Sequence, residues 1–163
     1  MGSKILGPLP ELEKKEGDDM KIKIKRVDKS LPLPEYKTEG AAAFDLYVRE
    51  TVIIPAHSVK LIPMNTIIEL PKGCWAMLVP RSSCHKKGIM AANGIGIGDL
   101  DYCGENDEYH FPALNFTDSE VVIERGDRIA QMMIFHYDRA EFTEVDSFSH
   151  NVSRGGFGST GDK

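Results

Sequence analysis

The sequence predicts an all-β domain, either an antiparallel barrel or a double-sheet jelly roll, and two observations carry that expectation. Short apolar runs rich in β-branched residues recur along the chain: TVIIP at 51–55, SVKLI at 58–62, NTIIEL at 65–70, CWAMLVP at 74–80, SEVVIE at 119–124 and RIAQMMIFH at 128–136. Each is bounded by Pro, Gly, Asp or Asn, which end strands because they lack a ladder donor, tolerate unusual dihedrals or bond their own backbone. Helical periodicity, in contrast, is confined to one short stretch. Many short strands with little helix is the pattern of closed or double-sheet antiparallel folds.

Taken in order, residues 1–19 are polar, carry Gly and Pro, and read as a flexible leader or a native tail ahead of Met20. MKIKIKR then alternates apolar and basic side chains with period two, which places Met20, Ile22 and Ile24 on one face of a strand. The ordered domain is expected to start there and to run from 20 to 145. Pro71-Lys72-Gly73 and Arg125-Gly126-Asp127 read as hairpin turns. PRSSCHKKG predicts the one helix: Ser82 as N-cap, Lys86 and Lys87 in the last turn, and Gly88 in the left-handed position that ends it. Residues 146–163 are expected to form a C-terminal arm, since NVSRGGFGSTGDK has four glycines and no periodicity.

A chain of 163 residues fits one domain with a core of its own, and 41% hydrophobic with 28% charged residues is ordinary for a soluble one. No run approaches the roughly 18 apolar residues that span a bilayer, and no apolar signal segment opens the chain, so a cytoplasmic protein with no membrane partner is expected. Cys74, Cys84 and Cys103 are an odd number with no CxxC pair, which suggests reduced thiols. The net charge of −5 disfavours a nucleic-acid partner and leaves anion recognition to local devices.

Three segments offer such devices. The start of the predicted helix carries Arg81, Ser82 and Ser83, where unpaired N–H groups and the helix dipole favour an anion. In ANGIGIGDLDYCGE the glycines fail as a phosphate loop, for no helix or Lys-Ser/Thr follows. They fit a bulge or a close approach by a flat group such as a base. Asp99 and Asp101 would share one face of an extended chain, from which one could orient water. In the tail, Phe157 is a lone aromatic among glycines, flanked by Arg154, Ser159 and Thr160; the segment is either a solvated end or a mobile arm that grips phosphate under a stacking ring. Gln131, polar within an apolar run, reaches a ligand from a strand end or faces solvent. Asp127 and Arg128 read as structural, satisfying the turn backbone and a neighbour.

Together these segments resemble the five motifs of the trimeric dUTPases, in the family's order, over most of residues 20–163. They are AAAFDLY at 41–47, PRSSCHKKGI at 80–89, NGIGIGDLDYCGE at 93–105, GDRIAQMMI at 126–134 and RGGFGSTG at 154–161. The resemblance implies a jelly-roll-like distorted β-barrel with one short helix and a flexible C-terminal arm, assembled as a homotrimer whose active sites are shared between chains. It implies Mg²⁺-dependent hydrolysis of dUTP to dUMP and pyrophosphate, which limits uracil incorporation into DNA and supplies dUMP for thymidylate synthesis.

In that scheme Asp99 orients the water that attacks the α-phosphorus, and Tyr102 packs under the deoxyribose. Asn93 and the backbone at Gly96 and Ile97 read uracil. Arg81, Ser82, Ser83 and Gln131 hold phosphates, while Asp45 holds the ion through water. Phe157 stacks on the base, with Gly158 beside it, and Arg154, Ser159 and Thr160 grip the outer phosphates.

The sequence departs from the family pattern at several points. Ala43 and Ser83 stand in place of glycines, and Gly98 replaces an aliphatic residue before the aspartate. The fifth-motif arginine is displaced by two positions, from near 152 to Arg154. The connection after Gly104, ENDEYHFPALNF, is about three residues longer, so a base-reading donor on the returning strand would come from near His110, since Pro112 has none. Two other readings are a dCTP deaminase-like enzyme, for which FPALNF lacks the glutamate, and a non-catalytic nucleotide-binding regulator.

Overall fold

The computed structural model describes residues 20–150, 152, 153 and 155. The leader at 1–19 lies outside the described residues, as do Arg154, Phe157, Gly158, Ser159 and Thr160.

Within them the fold is all-β. Its strands are β1 Lys23–Arg26, β2 Phe44–Leu46, β3 Val52–Ile54, β4 Val59–Pro63, β5 Thr66–Glu69, β6 Cys74–Pro80, β7 Ile89–Ala91, β8 Gly96–Gly98, β9 His110–Asn115, β10 Val121–Ile123 and β11 Ala130–His136. They pair as β1-β5, β10-β3, β2-β11-β6-β8 and β4-β9-β7, and every pairing is antiparallel. The six apolar runs of the sequence are β3, β4, β5, β6, β10 and β11.

Alternation sets the core. Along β6 the residues Cys74, Ala76 and Leu78 are buried while Trp75 and Met77 are less so, the period-two pattern of a pleated strand. Ala76 and Leu78 belong to one cluster with Leu46, Ile54, Ile62, Ile68, Ile123, Ile129 and Met132, among others. Each such side chain contributes about 1.5–3 kcal/mol on burial. β1 follows its predicted alternation from Lys23, with Ile22 and Ile24 packed on the core, whereas Met20 is exposed.

Two polar residues lock loops into this core. Asn115, fully buried, donates to the carbonyls of Ile54, Pro55 and Ser119 at 2.7–3.1 Å, and its Oδ1 accepts from Thr117. Glu108 accepts from Arg49 Nε at 2.9 Å and from the Asn65 amide at 2.8 Å, so its charge is paired where water is excluded.

Three local expectations need correction. The turns at 71–73 and 125–127 form, with Gly73 at φ 79° and Gly126 at φ 87°, but neither closes a hairpin. β5 pairs with β1 while β6 pairs with β11 and β8, so the first turn carries the chain to another sheet; the second does the same between β10 and β11. The helix is a single 3₁₀ turn, Cys84–Lys87, capped from Ser83 instead of Ser82 and without a side-chain cap bond. A turn this short sums few peptide dipoles, which weakens the anion argument built on it. Its end is as expected: Gly88 is left-handed at φ 77°. Lastly, Asp99 and Asp101 do not lie on one extended strand, because the Tyr102 amide donates back to the Asp99 carbonyl at 3.2 Å and the chain turns between them.

No helix among the described residues is long and apolar enough to cross a membrane.

Candidate active site

β8 is held by register more than by side chains. Gly96, Ile97 and Gly98 pair with Leu78, Met77 and Ala76 of β6, and a methyl group on Gly96 would meet the Leu78 Cβ at 3.1 Å. The glycine therefore permits close strand approach. Ahead of β8, Gly94 at φ 73° turns the chain so that Asn93 faces the same side. Beyond it, the turn at Asp99–Tyr102 brings the tyrosine back over the strand end.

These features wall one cavity of about 320 Å³, lined by Asn93, Gly96, Ile97, Asp99 and Tyr102 and also by Leu61, Leu78, Tyr109, His110 and Pro112. Five residues singled out in the sequence thus converge. The size is at the low end for a small-ligand site, and its walls are mostly apolar with a few polar groups. Tyr102 Oη donates to the Glu108 carbonyl at 3.0 Å, and its ring meets Tyr109 edge-on with centroids 5.3 Å apart. Burial, reinforced by the charges of Asp107 and Glu108, raises the Tyr102 phenol above its ordinary value, so the hydroxyl stays a donor. Asp99 is solvent-accessible and also lines a second cavity of about 660 Å³ with Trp75, Asp101, Tyr137 and Arg139.

The second site grows from β2, β6 and β11. Gln131 of β11 pairs with Asp45 of β2 and Val79 of β6, which sets their ends side by side. Asp45 is 5% exposed, and each of its oxygens holds a different guanidinium: Oδ1 takes Arg81 Nε and Oδ2 takes Arg128 Nη1, both at 3.0 Å. Arg81 also donates to the Arg128 carbonyl at 3.2 Å, and Gln131 Nε2 donates to the Pro80 carbonyl at 3.2 Å. Two guanidiniums against one carboxylate leave a net positive charge on partly exposed groups, a setting suited to phosphate oxygens. Ser82 and Ser83 follow directly, the first exposed and the second half-buried.

The profile of the dUTPase family matches residues 29–161. The chain belongs to that family. It is 40% identical over 147 residues to a deoxyuridine 5′-triphosphate nucleotidohydrolase of Hydrogenobaculum sp., a match covering 88% of this chain and all of the relative. Among solved structures it resembles a dUTPase from Streptococcus mutans (TM-score 0.68, 28% identity, 73% of this chain and 98% of that one). The fold also matches the dUTPase of Staphylococcus bacteriophage 80alpha solved with dUPNHPP (TM-score 0.76, 23% identity, 86% and 98%). The jelly-roll-like all-β expectation accords with these neighbours.

Against the dUTPase motifs, the third forms the cavity and the first, second and fourth form the arginine cluster. Arg128, read in the sequence as satisfying its turn and a neighbour, has such a neighbour in Asp45, which it shares with Arg81. Sequence reasoning missed one participant. Tyr109 sits in the longer connection after Gly104 and carries no motif. That connection also departs from a hairpin: β9 pairs with β4 and β7 and leaves β8 to β6, while the Pro112 carbonyl accepts from the Ala92 amide at 2.8 Å.

Mg²⁺ can be tested against the donor set. Among the described residues, no three His, Cys, Asp or Glu side chains converge to hold an ion. Asp45 is held by arginines, although each carboxylate oxygen keeps a further lone pair. This set fits an ion carried in on a triphosphate and contacted through water, as Mg²⁺ binds.

Proposed function

We propose that this chain hydrolyses dUTP to dUMP and pyrophosphate. The observation that carries the reading is the 320 Å³ cavity in which Asn93, Gly96, Ile97, Asp99 and Tyr102 meet. Uracil lies against the backbone at Gly96 and Ile97 with Asn93 at its polar edge, and Tyr102 packs beneath the deoxyribose, where a 2′-hydroxyl would collide. A site that pairs polar edges rejects mismatched bases strongly, since they leave buried groups unpaired.

Asp99 orients a water molecule and accepts its proton as the oxygen attacks the α-phosphorus. The bond from that phosphorus to the bridging oxygen breaks, and pyrophosphate leaves with the electron pair. Arg81, Ser82, Ser83 and Gln131 hold the phosphates, with Asp45 fixing Arg81. Mg²⁺ would neutralise charge on the triphosphate when bound, and Asp45 would hold it through water. A mutant dUTPase from phage phi11 of S. aureus is described with a structural Mg(II) ion. Arg154, Phe157, Gly158, Ser159 and Thr160 close over the nucleotide and exclude water.

The protein acts as a homotrimer in which the cavity of one subunit serves with the arginine cluster of another. Exposed apolar side chains support this, for Leu61, Ile97, Ile95 and Met90 are each at least half exposed on and beside the strands around the cavity.

Pyrophosphate release from dUTP, dTTP, dCTP and UTP with Mg²⁺ is the deciding assay. Turnover of dUTP should exceed that of the others by at least about 100-fold. Asp99→Asn should lower kcat by about 10²–10⁴ while retaining nucleotide binding. Binding of dUTP without wild-type turnover would indicate a regulator, and ammonia release from dCTP would indicate a deaminase.

A further inference from the structure

Gly98 and Tyr109 occupy each other's space. A methyl group on Gly98 would lie 2.2 Å from Tyr109 Oη and 2.9 Å from its Cε1 and Cζ, so no side chain fits at 98 while the tyrosine is in place. The backbone that carries the ring is fixed: the Tyr109 amide donates to the Thr66 carbonyl, and its carbonyl accepts from the Met64 amide, both at 2.9 Å. It is 5% exposed, and its hydroxyl has no hydrogen-bond partner among the described residues.

We propose that Tyr109 is a positioning residue, setting both the Gly98–Asp99 backbone and the Tyr102 ring that face the nucleotide. β8 is three residues long with two glycines, and such a strand has much backbone freedom of its own. The phenol packed on Gly98 supplies the volume that an aliphatic side chain at 98 would otherwise bring, and it stiffens the strand directly before Asp99. The same ring braces Tyr102 edge-on, while the hydroxyl of Tyr102 is tied to the Glu108 carbonyl. Two restraints fix the Tyr102 plane; with one lost, the ring tilts and a 2′-hydroxyl is accommodated. Tyr109 therefore acts on alignment through Gly98 and on sugar choice through Tyr102.

The inference rests on the proposed dUTP hydrolysis and adds a residue to it. Four variants test it: Tyr109→Phe, Tyr109→Leu, Gly98→Ala, and Gly98→Ala with Tyr109→Leu, each assayed for kcat and KM on dUTP and UTP and for melting. Tyr109→Phe keeps the brace and should hold the dUTP-over-UTP preference within about threefold of wild type, whereas Tyr109→Leu should lower it about tenfold or more. Gly98→Ala should lower kcat about tenfold or more, and the double variant should recover most of that kcat without the sugar preference, a coupling that neighbours in contact show.

A full dUTP preference in a folded Tyr109→Leu protein would overturn the proposal, as would a double variant no better than Gly98→Ala. Calorimetric binding of the imido analogues of dUTP and UTP runs in parallel. If wild type binds without turnover, the hydrolysis reading fails while the affinity ratio still decides for or against Tyr109. Absence of both binding and turnover would overturn both.

Discussion

Arg128 Nη1 donates to Asp45 Oδ2 at 3.0 Å across 83 residues of chain, and so joins the segment leading into β11 to the centre of β2. Arg81 takes the other oxygen at the same distance. One carboxylate therefore sets the direction of two cations, and neither arginine can be understood without it.

Asp45→Asn is expected to raise KM for dUTP about tenfold, because an amide orients both guanidiniums poorly. It should also lower stability by about 1–3 kcal/mol, less than for a fully buried pair since both arginines are roughly one-third exposed. Steady-state kinetics and calorimetric melting check the two effects. Titrating Mg²⁺ at saturating dUTP separates the two duties given to this residue: a raised half-saturating Mg²⁺ concentration reports on the water shell, and a raised KM at saturating Mg²⁺ reports on the arginines.

Gly88 ends the 3₁₀ turn beside Arg81–Ser83, and two restraints fall on it. Its φ is +77°, and a methyl group there would lie 2.4 Å from Thr117 Cγ2. Gly88→Ala is expected to cost about 1–3 kcal/mol, measured by urea unfolding. Adding Thr117→Ser removes the clashing methyl and keeps the Oγ that donates to Asn115 Oδ1, so it should return part of the loss. The remainder is backbone strain. Full recovery would mean that the left-handed conformation costs nothing at this position.

How far the sequence reveals this molecule depends on how local each signal is. β3–β6, β10 and β11 were legible because β-branched residues fill them between turn formers. β2 was not, since FDL is too short to show a period, and β9 was obscured by Pro112, which breaks the strand pattern but loses nothing at a position where only its carbonyl is used. The cavity could be read because its main residues lie within 93–102, one stretch with a known pattern. The Asp45 pairing could not, for it joins three strands distant in sequence and arises only when the sheet forms. The hairpins read at 71–73 and 125–127 failed for the same reason: turn chemistry is local, whereas the choice of strand partner belongs to the whole sheet.

The Tyr109 phenol gives an alkaline signature. Burial first, and then the charges of Tyr102, Asp99 and Cys103, push it up to about 12 from the ordinary 10.0. A raised value means the folded state holds this proton more tightly than the unfolded chain. The corresponding stability is fully present below about pH 10 and is lost as pH rises toward about 12, with a total on the order of 2 kcal/mol. Lys23 and Lys37, raised chiefly by hydrogen bonds to Glu69 and Glu35, lose stability in the same direction, so the wild-type slope alone does not isolate the tyrosine. Comparison with Tyr109→Phe does. Urea unfolding between pH 9 and about 12 should show a shallower alkaline decline in the variant. An identical decline in both proteins would mean that this phenol titrates as it does in water and is not buried against Gly98.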